Sequence, residues 1–170
     1  MSKIVCSGEY FSIRTGATGE EYVHCGDEVL IVAVDAAGDV HLGVEPSAAF
    51  GESVWLLPGG QTEPDESLAQ TANRELQEEI GFHAGRLDPL GEFRPFSKYL
   101  STRSHVYLAR DLRPSRLPGD EGYMIAVKQV PLASFEALIA AGQLRDARVI
   151  AALYLARQFL ATEGAASQQI

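Results

Sequence analysis

The stretch Gly60-Gln61-Thr62-Glu63-Pro64-Asp65-Glu66-Ser67-Leu68-Ala69-Gln70-Thr71-Ala72-Asn73-Arg74-Glu75-Leu76-Gln77-Glu78-Glu79-Ile80-Gly81-Phe82 decides how this chain folds. Pro64-Asp65-Glu66 suits the opening of a helix, where proline needs no donor and acids meet free N–H groups at the positive end of the dipole. Leu68, Ala72, Leu76 and Ile80 then recur every four residues, one apolar stripe turned toward a core. Gly81 stands where a helix commonly ends in a left-handed residue. Glu75, Glu78 and Glu79 fall at i, i+3 and i+4, so their carboxylates share one side of the helix beside that stripe.

Three clustered carboxylates repel one another unless a cation lies between them. An all-oxygen cluster suits a hard divalent ion, Mg²⁺ first and Mn²⁺ second. Such an ion clamps a pyrophosphate, withdraws charge from phosphorus and lowers the pKa of a bound water. Arg74 can pair with a neighbouring carboxylate and hold it in a ligating rotamer. The plain alternative is a solvated acidic helix face, which the pair Glu78-Glu79 alone would favour. The glycines and the arginine at their fixed spacings favour the metal.

Gly60, five residues, Glu66, seven residues, then Arg74-Glu75-Leu76-Gln77-Glu78-Glu79-Ile80-Gly81-Phe82 fill every fixed position of the Nudix box, and the chain resembles the Nudix hydrolases. A chance match at one start site has odds on the order of 10⁻⁹. The box residues are Gly60, Glu66, Arg74, Glu75, Glu78, Glu79 and Gly81. The resemblance implies cleavage of a nucleoside diphosphate linked to a moiety X. It also implies a metal shell of Glu75, Glu78, Glu79 and the Gly59 carbonyl, in the turn Leu57-Pro58-Gly59-Gly60 whose glycines let backbone approach a ligand.

Composition sets the frame. At 170 residues the chain is read as one domain over 1–170, with 1–26 a β-hairpin and 27–163 the catalytic core. A formal charge of −9 argues against non-specific binding to nucleic acid or an anionic membrane. A phosphate-bearing substrate must therefore meet local cations. The apolar run Val29 to Val34 is far too short to cross a bilayer, and no signal peptide is evident. Cys6 and Cys25 read as reduced thiols, which places the protein in a cytoplasm.

Along the chain, Ile4–Ile13 and Glu20–Cys25 read as the two arms of the hairpin. Strands are expected at 29–34, 40–44, 53–57, 87–94, 104–109 and 123–130, with 45–52 irregular and 111–122 a Pro/Gly/charge-rich loop. Helices are expected at 134–141 and 146–161, with 164–170 a frayed tail. Together with the resemblance, this order implies an α/β (α+β) fold, the α/β/α sandwich with a mixed central sheet.

Flanking sequence resembles the branch that hydrolyses ADP-ribose and other ADP compounds. The N-terminal hairpin, Ala109-Arg110-Asp111-Leu112 and the run from Val130-Pro131-Leu132 to Leu153 carry that likeness, and the hairpin implies a homodimer. The branch often takes its general base from an acidic cluster in the long loop. Asp120-Glu121 matches its start, although Gly122-Tyr123 replaces its second acidic pair. Glu121 is the candidate base, with Glu78 the alternative, so the catalytic set is Glu78, Glu79, Glu121 and Arg74. Gly60, Tyr99, Arg103 and Asp120 are the candidate substrate contacts. Arg103 comes from a Ser-x-Arg element at Ser101, and Tyr99 from the position of a stacking tyrosine in dinucleoside-polyphosphate hydrolases; a half-buried structural Tyr99 is the plain alternative. The expected substrate is ADP-ribose or a related ADP-sugar. Other nucleotide sugars, dinucleoside polyphosphates and a non-catalytic nucleotide sensor stand as alternatives.

Overall fold

A computed structural model describes residues 2–119 and 122–167. The chain begins with three strands, β1 (Lys3–Ser7), β2 (Ser12–Thr15) and β3 (Glu21–His24), in one small antiparallel sheet of that order. The expected long first arm of a hairpin is broken at 8–11, where Gly8 N–H donates to the Phe11 carbonyl and reverses the chain. The N-terminal unit is therefore a three-stranded sheet and not a hairpin.

The next strands are β4 (Glu28–Ala33), β5 (Asp39–Ser47), β6 (Glu52–Leu56) and β7 (Gly59–Gln61). Helix α1 (Leu68–Glu75) continues directly into a π-helical turn over Leu76–Ile80, and β8 (Phe82–Phe93) and β9 (Ser104–Pro114) follow. After β10 (Ala126–Pro131) come a 3₁₀ turn (Leu132–Ser134), α2 (Glu136–Ala140) and α3 (Ala147–Ser167). The central sheet has the order β7-β4-β9-β8, and a second sheet the order β10-β5-β6. In the central sheet β4 and β9 run parallel, and the other pairs are antiparallel.

The two faces of β4 explain why Val29 to Val34 is apolar at every position. Val29, Ile31 and Ala33 pack with Ala72, Leu76 and Ile80 beneath the box helix. Leu30, Val32 and Val34 pack with Val149, Ala152, Leu153 and Ala156 of α3 on the other face. A strand covered on both faces needs no alternation. Helix, mixed sheet, helix is the expected sandwich.

Several boundaries differ from the sequence reading, each for a local reason. Helix α1 starts at Leu68 and not at Pro64, because Ser67 caps it: the Gln70 N–H donates to Ser67 Oγ and the Ser67 N–H donates to Gln70 Oε1. Strand β5 runs on to Ser47 by pairing with β6, so half of the stretch expected to be irregular is ladder. Strand β9 reaches Pro114 against β8, which removes residues 111–114 from the expected loop, and β10 starts only at Ala126. Helix α3 holds to Ser167, past the expected start of a frayed tail. Arg110 and Arg86 both grip Glu163, just before that stretch, at 2.5 and 2.6 Å. No described helix is long and apolar enough to cross a membrane.

Candidate active site

The site is built where β7 meets the box helix. Gly59 and Gly60 pair antiparallel with Leu30 and Val29. A Cβ on Gly59 would run into the Val29 carbonyl oxygen, and a Cβ on Gly60 into the Glu75 carboxylate. The first glycine thus serves the sheet and the second leaves room beside an acid. At the far end of the helix Gly81 takes φ 77° and ψ 30°, the left-handed cap expected from sequence, and its N–H donates to the Leu76 carbonyl. The π-helical turn between them was not foreseen. It contains Glu78 and Glu79, and such insertions concentrate at functional sites.

Arg74 organises the acids. Its Nε donates to Glu66 Oε1 and Oε2 at 3.0 and 3.2 Å, and its Nη2 to Glu66 Oε2 at 3.2 Å and the Gln61 carbonyl at 3.1 Å. Its Nη1 donates to Glu75 Oε1 at 2.8 Å and Glu78 Oε2 at 3.0 Å. Burial works against this guanidinium's charge, but the hydrogen bonds and charges of Glu66, Glu75 and Glu78 hold its pKa above the ordinary arginine value. Hydrogen bonding from Arg74 in turn lowers the Glu66 carboxyl pKa, and Thr71 Oγ1 fixes the same carboxylate at 3.0 Å. Glu66 is therefore the brace of the arginine and not a member of the acidic face.

Glu75 and Glu79 are both buried, at 7% exposure each, and Glu79 Oε2 accepts the Gly59 N–H at 3.3 Å. Buried carboxylates are retained where a cation or donors compensate them. Among the described residues no three His, Cys, Asp or Glu side chains stand together as a group that could hold a metal ion by themselves. The donor set nevertheless fits a hard divalent ion. All its donors are oxygens, Gly60 leaves a cradle against Glu75, and Gly59 lies beside Glu79.

A cleft of about 410 Å³ opens on Glu78 and Glu79, with Arg116, Tyr123 and Met124 among its walls. Tyr123 donates from its hydroxyl to Glu45 Oε2 at 3.1 Å. Arg116 and Tyr123 were not among the residues expected from sequence; nothing in the spacing of a charge-rich loop tells which of its side chains will turn toward the helix. Asp120 and Glu121 lie outside the described residues.

Tyr99 and Arg103 are not part of this cleft. Tyr99 belongs to the segment that holds the N-terminal sheet: Val23 N–H donates to its carbonyl at 2.8 Å, while the residue is 57% exposed, with the Lys98 ammonium over its ring. Arg103 faces Asp27 and Glu92 at 3.8 and 3.9 Å. The structure thus gathers Gly59, Gly60, Glu66, Arg74, Glu75, Glu78 and Glu79 and sets Tyr99 and Arg103 apart.

Comparisons with known proteins bear on the family and the fold. A family model described as the NUDIX domain matches residues 26–153. The ADP compounds hydrolase NudE of Escherichia coli (strain K12) is 36% identical over 128 residues, 74% of this chain and 69% of that protein. An ADP-ribose pyrophosphatase of Bacillus subtilis (strain 168) is 26% identical over 139 residues, 81% of this chain and 75% of that one. Among solved structures, a crystal structure of an ADP compounds hydrolase superposes with a TM-score of 0.83 at 27% identity, covering 96% of this chain and 94% of that one.

Proposed function

The chain belongs to the Nudix family and is a hydrolase of phosphoric anhydrides, and on that premise we propose that it cleaves ADP-ribose or a related ADP-sugar with the help of Mg²⁺. The products are a nucleoside monophosphate and the phosphate of X, here AMP and ribose 5-phosphate. The observation that carries this reading is the Arg74-centred arrangement of Glu66, Glu75 and Glu78, with Glu79 against the Gly59-Gly60 turn. The substrate class comes from the relatives, which are named for ADP compounds and ADP-ribose.

Divalent ions are general to the family, and in this site Mg²⁺ would be held by Glu75, Glu78, Glu79 and the Gly59 carbonyl. When bound, the ion neutralises diphosphate charge and acidifies water. The protein's own part is to hold those carboxylates apart and aimed, which Arg74 and Glu66 do. Glu121 takes the proton of the attacking water, with Glu78 the alternative; the described residues on either side of it, Gly119 and Gly122, line the cleft.

The protein acts as a homodimer in the cytoplasm. The N-terminal sheet presents Ile4, Val5, Tyr10 and Phe11 at more than half exposure, an apolar surface that a second copy would cover. Cys6 and Cys25 are free thiols, in keeping with a reducing compartment.

The test is incubation with Mg²⁺ and a panel of ADP-ribose, other nucleotide sugars, diadenosine polyphosphates and NADH, with and without chelator. Chelator-sensitive release of AMP from ADP-ribose in preference to the others is the expected result. Preference for diadenosine polyphosphates would move the substrate assignment. Absence of all cleavage would leave a nucleotide-binding module.

A further inference from the structure

The cleft is lined by a cation from outside the box, and we infer that Arg116 binds the substrate's diphosphate from the wall formed by the 115–119 loop. The inference rests on the proposed diphosphate chemistry and adds to it a residue outside the Nudix box.

The loop is fastened to the π-helical turn. Ser115 N–H donates to the Gly81 carbonyl at 2.9 Å, Leu117 N–H to the Gln77 carbonyl at 3.1 Å, and Gln77 Nε2 to Ser115 Oγ at 2.8 Å. Arg116 is thereby held over the end of the helix. Its Nη1 donates to the Glu78 carbonyl at 3.2 Å, and its Nε lies 3.0 Å from where a Cβ on Gly81 would stand. The glycine that ends the box helix thus also makes room for this guanidinium.

Capping of the helix accounts for one Arg116 nitrogen and leaves the rest of the fork. Arg74, Arg110 and Arg148 each make ion pairs shorter than 3.2 Å with carboxylates. Arg116 has no carboxylate within 4.0 Å among the described residues, yet it lines the cleft beside Glu78 and Glu79. A guanidinium left with free donors next to two acids matches phosphate oxygens in its planar fork. In a chain of net charge −9 such a cation is what a diphosphate needs on entry. During hydrolysis the water oxygen bonds to one phosphorus, its proton passes to the base, and the bridging P–O bond breaks with its electron pair left on the departing phosphate. Arg116 stabilises charge on the phosphate oxygens as that bond breaks.

The experiment measures equilibrium binding of methylenediphosphonate, an uncleavable diphosphate, to wild-type, Arg116→Ala and Arg116→Lys proteins with Mg²⁺, alongside their Tm values and KM. Arg116→Ala should bind the probe about tenfold more weakly and raise KM in parallel, with Arg116→Lys in between. A purely capping role would lower Tm and leave probe affinity unchanged, and that result overturns the inference, as does binding too weak to detect in the wild type. Failure of the wild type to cleave any compound of the panel while binding the probe through Arg116 would overturn the proposed function alone.

Discussion

Glu66 and Arg74 stand eight residues apart and meet through three hydrogen bonds of 3.0 to 3.2 Å, although Glu66 precedes the helix that carries Arg74. The pair closes the loop over the first two turns of α1, and the same arginine then reaches Glu75 and Glu78 with its remaining nitrogen. One side chain outside the acidic face thus sets the position of two on it.

Arg74→Lys should keep the fold and lose most of the activity. Lysine offers a point charge in place of a fork, so it cannot hold Glu66, Glu75 and Glu78 together. Loss of a residue that orients ligating side chains costs about 10–100-fold in activity or metal affinity. Glu66→Gln should act the same way more mildly, since it weakens the same contact. Steady-state rates as a function of Mg²⁺ concentration test this: the mutants should need more metal, and an unchanged metal dependence would contradict the bracing role.

Adjacent glycines should fail differently. Gly60→Ala drives a methyl into the Glu75 carboxylate, whereas Gly59→Ala drives one into the Val29 carbonyl inside the sheet. A side chain can rotate away and a strand cannot. Gly60→Ala should therefore cost activity with a nearly unchanged Tm, and Gly59→Ala should cost about 1–3 kcal/mol of stability. Denaturant titration and a rate assay on both variants separate the two; equal loss of stability would show that the Gly60 cradle is structural.

Much of this was legible because the signals were local. The run Val29 to Val34 has to be covered on both faces, and the four-residue spacing from Leu68 to Ile80 has to face a core. The true start of α1 was also written in the chain, as Ser67 and Gln70 form a capping box, but Pro64-Asp65-Glu66 offered a competing opening. Other features depend on distant partners. The break of the first strand at 8–11 follows from β1 folding onto β2. The extra length of β9 follows from pairing with β8, and the length of α3 accompanies ion pairs to Arg86 and Arg110. The turning of Arg116 to the cleft follows from Gln77 and Gly81 catching the loop, which no spacing within 111–122 encodes.

The exposed apolar residues of the N-terminal unit give the proposed homodimer its test. Phe11→Glu puts a charge beside the Tyr10 ring, among the exposed apolar residues that include Ile4 and Val5. Burying an unpaired charge is costly, and the dimer should dissociate at concentrations at least about tenfold higher than wild type. Light scattering across a dilution series reads the change, with the circular dichroism spectrum as control. A wild type that is monomeric throughout would remove the homodimer.

Glu163 should contribute to the acid sensitivity of the fold. Hydrogen bonds from Arg110 and then Arg86 lower its carboxyl pKa from 4.5 to about 2, and Arg110 also holds Asp88 at 2.5 Å, so one network ties α3 to β8 and β9. A carboxyl whose folded pKa is depressed binds fewer protons folded than unfolded. Its stabilisation is therefore complete above pH 4.5 and is lost as pH falls toward 2. Glu163→Gln should melt below wild type at neutral pH, and the gap should close on acidification through that window. The group is at the surface, so 1 M salt should shrink the neutral-pH gap as well. Melting curves at pH 7, 4 and 2.5 decide it: a gap that stays constant would mean that Glu163 contributes by packing and not by charge.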